Sequence, residues 1–402
     1  MVRSIIMLAR LTQGRPLFFL YVTVFINMVG FGMVFPLLPF YAQEFNASAF
    51  QIGLMAASFS IVQFFTSPVL GRVSDRFGRK PVLVVGLLAG TVSMLMAGTA
   101  QSLAQLFIAR SFHGAVTSAL LPTARAYMAD VTTAEERVAG MGKVGAAFAL
   151  GFLIGPAFGS FLVALGGIHV PFFVSAAVAA GNAVSVALFL KESLSQKTEK
   201  LVIKEGLFNI FTMFKHLKSE TGILLAVLFA WSFALSNNQV AFPLTVSDTF
   251  SLGPTHIGYF FTAMAIVSSA MQGVFLKHIV KFFGEKRAIM VGLGFQGVGL
   301  LLITLAPTVF VLIVAVMVMA MGSALHRPTA EGIISRMAET GQGTTLGIAN
   351  SFESLGRVFG PLLGGMLYGV VDAFPFILSA ALLWVIAGLV SRALVIKPVG
   401  TR

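Results

Sequence analysis

One acidic residue, Glu353, lies near the middle of a long apolar segment, residues 344–369, and Arg357 follows it four residues later. On a helix these two side chains share a face, in the favourable order with the acid first. Apolar surroundings favour the neutral acid, whereas a neighbouring guanidinium favours the carboxylate. Glu353 is therefore a candidate for binding and releasing a proton, with Arg357 as its modulator. A permanent ion pair that fills a gap between helices is the alternative.

Arg110 and His113 are further ionisable residues inside an apolar segment, residues 103–127. Arg110 is placed about 10 Å deep, at ~1.5 Å per residue from the start of that segment. A charge at that depth indicates a role at a proton site or against a substrate, although the side chain can also snorkel to the surface. His113 has a side chain that titrates near neutral pH, but a single helical histidine can equally be a packed, hydrogen-bonded residue. Both are candidates for proton coupling.

Neutral amides and flexible apolar side chains supply the candidate binding surface. An amide donates or accepts hydrogen bonds without fixing the charge of a substrate. The 18 Met and 39 Phe residues of the chain offer adaptable and aromatic surface, although each methionine taken singly can also be core or lipid-facing. Such a cavity suits amphipathic compounds better than sugars, which need many fixed hydrogen bonds. The candidate cavity residues are Asn27, Met28, Asn237, Asn238, Gln239 and Asn350.

The elements that must position these residues are membrane-spanning helices. Hydrophobic residues make up 57% of the 402 residues and charged residues only 10%, against roughly 25% charged in a soluble domain. The apolar runs are long enough to cross ~30 Å of hydrocarbon, where each segment must satisfy its own backbone groups, and they lack the alternation of barrel strands. We predict an all-α membrane protein with twelve helices near residues 16–41, 50–70, 82–100, 103–127, 138–164, 170–190, 221–246, 255–276, 288–306, 308–328, 344–369 and 374–394.

The basic residues fall on one side of these predicted helices. With the N-terminus in the cytoplasm, none of the outside loops contains Lys or Arg; these loops are 42–49, 101–102, 165–169, 247–254, 307 and 370–373. This positive-inside bias predicts a multi-pass protein of the inner (plasma) membrane with both termini cytoplasmic. The net charge of +12 is thereby explained by topology, so a nucleic-acid partner is not expected. Cysteine is absent, which excludes disulfides and thiol chemistry.

The two halves of the chain repeat each other. Five short motifs recur in the same order at offsets of 204 to 206 residues, as Pro122-Thr123-Ala124 does in Pro328-Thr329-Ala330. Both halves start on the cytoplasmic side, so the repeats are parallel, and such proteins carry a substrate site at midplane between the halves. The predicted domains are residues 1–190, a cytoplasmic linker at 191–220, and residues 221–402.

The connection between the second and third helices reads GRVSDRFGRK, residues 71–80. It resembles the G-x-x-x-D-R-x-G-R-R/K signature of the major facilitator superfamily. Gly71 and Gly78 permit a tight turn, Asp75 can meet the positive end of a helix dipole, and Arg79 can pair with Asp130. The resemblance implies a conformational latch of the outward-facing state; the alternative is that the basic residues only enforce topology. The latch residues are Gly71, Asp75, Arg76, Gly78, Arg79 and Asp130.

The fifth helix carries Gly151, Gly155, Pro156 and Gly159, which resemble the G-x-x-x-G-P-x-x-G motif of drug:proton antiporters in this superfamily. Glycines four residues apart line one helix face and allow close approach, and the proline bends the helix. Ordinary helix packing without directional consequence is the alternative. Arg110 and Gly114 are similar to a further motif of the same families, and the first helix resembles tetracycline and multidrug exporters, with Asn27 where those usually have an acid.

The resemblance implies the major facilitator fold, two parallel-repeat six-helix bundles, and proton-coupled export of small amphipathic compounds or drugs by alternating access. A lipid or glycolipid translocator of the same fold and a proton-coupled importer of sugars or organic ions are the alternatives. No nucleophile–base set, metal cluster or phosphate-binding loop is recognisable, so we expect no enzyme activity, no cofactor and no metal. The expected partners are a small-molecule amphipathic substrate, protons and the lipid bilayer, and we expect a monomer.

Overall fold

The structure, a computed structural model, describes residues 2–194, 220–337 and 342–394, and these residues form helices and no strands. We number twelve helical spans in chain order. They are α1 (Val2–Val34, continued by a 3-10 turn at Phe35–Leu37 and by Leu38–Glu44), α2 (Ala49–Phe77), α3 (Arg79–Gly98), α4 (Leu103–Thr117 and Leu120–Val131), α5 (Ala134–Gly166), α6 (Val170–Phe189), α7 (Glu220–Phe250), α8 (Pro254–Ala270, a π turn at Met271–Phe275, and Leu276–Phe283), α9 (Glu285–Thr304), α10 (Val309–Arg336), α11 (Gln342–Tyr368) and α12 (Phe374–Ala393).

Ten of the described helices are long and apolar enough to cross a membrane. The two other spans are α4, which is interrupted at Ser118 and Ala119, and α11, which carries Glu353 and Arg357. The twelve spans confirm the predicted helical membrane protein. Most of the linker predicted at 191–220 lies outside the described residues.

Four predicted helix ends were wrong by seven or more residues. The first helix begins at Val2 and not at residue 16, the eighth continues to Phe283 and not 276, and the ends of the second and tenth helices also lie further along the chain. The tenth helix was predicted to end at Pro328 but continues to Arg336 with the proline inside it. A proline in a membrane helix bends it without ending it where neighbouring groups satisfy the freed carbonyl. The second helix was predicted to end at residue 70 but continues to Phe77, so Gly71 lies within α2 and makes no turn.

Four packing pairs of the first half recur in the second half. In the first half α1 packs against α5 and α6, and α3 packs against α4 and α6. In the second half α7 packs against α11 and α12, and α9 packs against α10 and α12. Adding six to each helix number of the first set gives the second set, which is the pattern that a parallel repeat produces.

Glycines allow close backbone contact in the interfaces between the first and fifth helices of each half. A methyl group added at Gly155 of α5 would lie 2.7 Å from the Gly32 Cα atom of α1, and Gly151 and Gly159 meet the α1 backbone in the same way. In the second half, a methyl group at Gly360 of α11 would lie 2.6 Å from the carbonyl oxygen of Phe233 in α7. Backbone-to-backbone contact of this kind holds membrane helices together through dispersion and close fit.

The chain divides into two compact units, residues 1–41 with 61–207 and residues 42–60 with 208–402. The second unit therefore includes the first turns of α2. There Gly53 packs on α11, since a methyl group at this position would lie 3.1 Å from the Gly365 Cα atom.

Gly155→Ala is expected to lower the midpoint of thermal unfolding of the purified protein by several degrees. The added methyl group overpacks a backbone contact, which typically costs ~1–3 kcal/mol, and each kcal/mol shifts the midpoint of a domain of this size by ~2–4 °C. Gly145→Ala is the matched control, because it lies in the same helix and its methyl group would meet nothing within 4 Å. Equal midpoints for the two variants would contradict the close-packed interface.

Candidate functional site

Glu353 is a buried carboxylate in the middle of α11, with 6% of its side chain exposed. Its Oε2 atom lies 3.5 Å from Nη1 of Arg357, one turn further along the same helix. The backbone at this point is anchored to α7, because the Ser232 hydroxyl donates to the Glu353 carbonyl oxygen at 2.6 Å. The spacing noted in the sequence thus brings acid and guanidinium together.

A second guanidinium reaches Glu353 from α10. Arg327 places Nε 3.4 Å and Nη2 3.5 Å from the Oε1 atom of Glu353. Sequence reasoning missed this residue, which lies next to the end of the predicted tenth helix and 26 residues before its partner in the chain. Glu353 therefore lies between two guanidiniums, one on each oxygen.

Arg327 has closer partners than Glu353. Its Nη2 lies 2.9 Å from the carboxylate of Glu331, one turn along α10. Its guanidinium carbon lies 4.1 Å from the centroid of the Trp231 ring in α7, a cation–π arrangement. The indole is held in place because its Nε1 donates to the Ser323 hydroxyl at 2.8 Å. Arg327 thus rests on an indole face beside Glu331 and holds Glu353 only loosely.

The guanidiniums of Arg327 and Arg357 and the carboxylates of Glu331 and Glu353 have formal charges that sum to zero. Arg327 lies nine residues before the end of α10, hence ~13 Å from that end of the helix at ~1.5 Å per residue. The side chains of Arg327 and Glu331 are 38% and 39% exposed. Partly exposed ions at this depth face water within the protein, because exposure to lipid is too costly. We call Trp231, Arg327, Glu331, Glu353 and Arg357 the membrane charge cluster.

The predicted cavity amides divide into two groups. Asn237 and Asn238 are buried, and Asn237 donates from Nδ2 to the Pro375 carbonyl oxygen at 3.2 Å, which joins α7 to α12. The buried amide of Asn238 has no hydrogen-bond partner among the described residues. The other predicted cavity residues are more accessible: Asn27, Met28 and Gln239 are half-buried and Asn350 is exposed.

Arg110 and His113 lie buried in α4. The Nδ1 atom of His113 lies 2.6 Å from the hydroxyl oxygen of Ser93 in α3. The Thr117 hydroxyl donates to the His113 carbonyl oxygen one turn later. His113 thus has the contacts of a packed, hydrogen-bonded histidine between α3 and α4, and its part in proton coupling stays a prediction.

The predicted latch residues mostly converge on Arg79 at the start of α3. Its guanidinium donates to Asp130 at 3.1 Å and to Ser74 at 3.1 Å, and it also pairs with Asp75. Gly78 makes the turn alone, with a positive φ of 116°. The predicted turn at Gly71 was wrong, since this residue is helical and a methyl group there would meet nothing within 4 Å.

Arg76, another predicted latch residue, contacts an aromatic ring. It is exposed, and its guanidinium carbon lies 5.4 Å from the centroid of the Phe77 ring. It is not part of the Arg79 hydrogen-bond set described above. Its part in a latch therefore stays a prediction.

Glu192, which sequence reasoning missed, caps the N-terminus of α3. Its carboxylate accepts from the backbone N–H groups of Arg79 at 2.9 Å and Lys80 at 3.2 Å. It also accepts from those of Ser193 and Leu194. Partial burial raises the pKa of Glu192, but these four backbone donors outweigh it, so the pKa is lowered from its ordinary value. The sequence shows an acid three residues after the end of α6, but nothing near it in the sequence identifies the N-terminus of α3 as its partner.

The second half repeats the Arg79–Asp130 pair with its charges exchanged. Positions 206 residues later carry Glu285 and Arg336, and these two side chains form an ion pair. Glu285 at the start of α9 and Arg336 at the end of α10 both suit the helix dipoles, whereas Arg79 and Asp130 oppose them. This difference explains why α3 needs the carboxylate of Glu192 at its N-terminus.

Comparisons with known proteins show the family to which the chain belongs. The family model of the Major Facilitator Superfamily matches residues 20–237 and 232–401. The chain is 31% identical over 369 residues to Multidrug resistance protein 2 of Bacillus subtilis (strain 168). That alignment covers 91% of this chain and 92% of the relative. It is 31% identical over 353 residues to the class C tetracycline resistance protein of Escherichia coli, covering 86% and 88%. The crystal structure of the human organic anion transporter MFSD10 is similar in fold, with a TM-score of 0.68 at 21% identity over 94% of this chain and 99% of that one.

Glu192→Gln is expected to lower the unfolding midpoint at pH 7 by roughly 1–4 °C, as the loss of a helix cap worth ~0.5–1 kcal/mol predicts for an exposed residue. Because the pKa of Glu192 is lowered in the folded state, its stabilisation is present above the ordinary glutamate pKa and is lost as the pH falls through the folded value. The midpoints of the two proteins should therefore converge below about pH 4. Glu136→Gln, at an exposed position of α5, is the control. A gap that persists unchanged at acid pH would show that the charge of Glu192 is not responsible.

Proposed function

Because the chain belongs to the major facilitator superfamily, we propose that it is a proton-coupled antiporter that exports small amphipathic compounds, drugs among them. The family and fold are those of a transporter rather than an enzyme. The names of the relatives, multidrug and tetracycline resistance proteins that align over most of their length, support export over import or lipid translocation.

The chain is a multi-pass membrane protein. We propose that it lies in the inner (plasma) membrane with both termini cytoplasmic, as the loop charges predict. We also propose that residues 1–190 and 221–402 act as two six-helix domains joined by the linker at 191–220. Their parallel repeat supports transport by alternating access.

The observation that carries the proposal is the loose hold on a buried carboxylate. Both guanidiniums lie 3.4–3.5 Å from Glu353, beyond the 2.7–2.9 Å of a strong charge-assisted hydrogen bond. The carboxylate is compensated but not locked in place, so a movement of either Arg327 or Arg357 changes the charge beside it. Glu353 is thus a proton carrier whose state depends on its neighbours.

Arg327 couples that proton to the substrate. In one arrangement it rests on Trp231 and Glu331, and Glu353 is free to take a proton. An aromatic substrate that stacks on Trp231 displaces the guanidinium, which moves fully onto Glu353, stabilises the carboxylate and expels the proton. Protonation of Glu353 reverses this movement and returns Arg327 to the indole. Proton and substrate therefore exclude each other, as antiport requires.

The remaining predicted residues have supporting places in this proposal. Asn27, Met28, Gln239 and Asn350 are accessible enough to line a cavity, and the unsatisfied amide of Asn238 is available to one. Arg110 and His113 modulate proton movement in the first half. The Arg79–Asp130 cluster holds the turn between α2 and α3 as a conformational latch, and the glycine ridge of α5 with Pro156 sets the packing of α1 on α5.

Glu353→Gln is expected to fold normally and to lose proton-driven transport. Glutamine keeps the size and hydrogen-bonding capacity of the side chain but cannot release a proton. The measurement is drug accumulation in inverted membrane vesicles or proteoliposomes under an imposed pH gradient, with thermal unfolding as the check on folding. The control is Glu136→Gln, which removes an exposed carboxylate outside the membrane charge cluster. Undiminished pH-driven transport by Glu353→Gln would remove Glu353 as the carrier.

Arg327→Lys is expected to reduce pH-driven transport by roughly tenfold or more while leaving facilitated drug exchange detectable. Lysine keeps the charge but is a point cation on a flexible stem, so it cannot stack on Trp231 and pair with two carboxylates in one geometry. The measurement compares counterflow without a pH gradient to uptake with one, in the same vesicles. Arg392→Lys, an exposed position in the last turn of α12, is the control. Equal loss of both activities would assign Arg327 to folding or binding and not to coupling.

A further inference from the structure

An apolar groove runs between α8, α9 and α10, apart from the membrane charge cluster. Its volume is about 220 Å³, and its walls are entirely apolar. Helix α8 contributes Met271, Ile279 and Phe283, and helix α9 contributes Ala288, Val291 and Phe295.

The groove opens on the exposed faces of these helices. Phe283, Val291 and Phe295 are 57%, 43% and 43% exposed, and their neighbour Phe282 is 87% exposed. Large apolar side chains exposed on membrane-spanning helices contact lipid chains. The groove is therefore open to the hydrocarbon of the bilayer.

The length of the groove matches one leaflet. Along α8 it extends from Met271 to Phe283, twelve residues, or ~18 Å at ~1.5 Å per residue. One leaflet contributes about half of the ~30 Å hydrocarbon core. A π turn at Met271–Phe275 interrupts α8 at the deep end of the groove, and such turns frequently mark functional sites.

The other end of the groove, where α8 meets α9, is rich in cations. Lys277, Lys281 and Arg287 are exposed and Lys286 is half-buried, all within one or two turns of the groove walls. The acid among them, Glu285, is engaged in its ion pair with Arg336 and does not neutralise these cations. The last part of α8, Leu276–Phe283, is amphipathic, with its basic residues grouped on one face, and it has no buried residue.

We propose that an anionic phospholipid of the cytoplasmic leaflet occupies this groove, with one acyl chain along α8 and α9 and its phosphate on Lys281 and Arg287. The apolar walls, the leaflet-length depth and the uncompensated cations at one end together fit this ligand. It is a resident lipid and not the exported substrate, so the inference does not depend on the proposed antiport.

The test is native mass spectrometry of the purified full-length protein in detergent, titrated with phosphatidylglycerol or with phosphatidylcholine. The wild type should retain phosphatidylglycerol in preference to phosphatidylcholine. Lys281→Gln combined with Arg287→Gln should lower the phosphatidylglycerol affinity by roughly 25-fold, about fivefold for each charge removed, with little change for phosphatidylcholine. Val291→Trp, which fills the groove from an exposed wall, should lower the retention of both lipids.

Lys143→Gln combined with Arg392→Gln is the matched control, because it removes two exposed basic residues elsewhere on the predicted cytoplasmic side. If this control loses as much phosphatidylglycerol as the Lys281 and Arg287 variant, the attraction is diffuse and the site is refuted. Val291→Trp with wild-type lipid retention would also refute it. If Val291→Trp instead lost drug binding while keeping its lipid, the groove would belong to the substrate and the lipid proposal would fail. Unfolding midpoints of all variants establish that each one is folded.

Discussion

A carboxylate inside a membrane must be neutralised, and the arrangement around Glu353 follows from that constraint. Breaking a buried ion pair typically costs ~3–5 kcal/mol, and a tightly formed pair opposes protonation of its carboxylate. Here two guanidiniums stand 3.4–3.5 Å away, and one of them is held more closely by Glu331 and Trp231. The carboxylate is thus compensated without being locked. In the proposed antiport, a ligand that competes for the indole shifts this balance.

The duplicated scaffold supplies the rigidity that such a balance needs. Both halves pack their first and fifth helices through glycine ridges, and both tie the start of the third helix to the end of the fourth by an ion pair. Glu285 and Arg336 carry charges opposite to those of Arg79 and Asp130. The two halves therefore share this ion pair but not the order of its charges. In the first half, Arg79 places a positive charge at the N-terminus of α3, where it opposes the helix dipole. The carboxylate of Glu192 supplies the favourable negative charge there by accepting from the backbone N–H groups of Arg79 and Lys80.

Sequence alone predicts features that follow from local spacing or from hydropathy. The helical spans, the parallel repeat and the neighbouring placement of Glu353 and Arg357 are of this kind. Arg327, Trp231 and Glu192 could not be predicted, because they reach their partners across helices that are far apart in the chain. The turn expected at Gly71 and the helix end expected at Pro328 failed because burial in a membrane bundle overrides the local tendencies of glycine and proline.

The most direct test of the account is proton release on ligand binding. Purified protein in a weakly buffered detergent solution would be titrated with a panel of amphipathic drugs, while tryptophan fluorescence reports binding and a pH dye reports protons. Because substrate and proton are held to exclude each other at Arg327 and Glu353, drugs that bind should release protons, and the Glu353→Gln protein should bind without release. Drug binding to the wild type with no proton release at any pH would contradict the account.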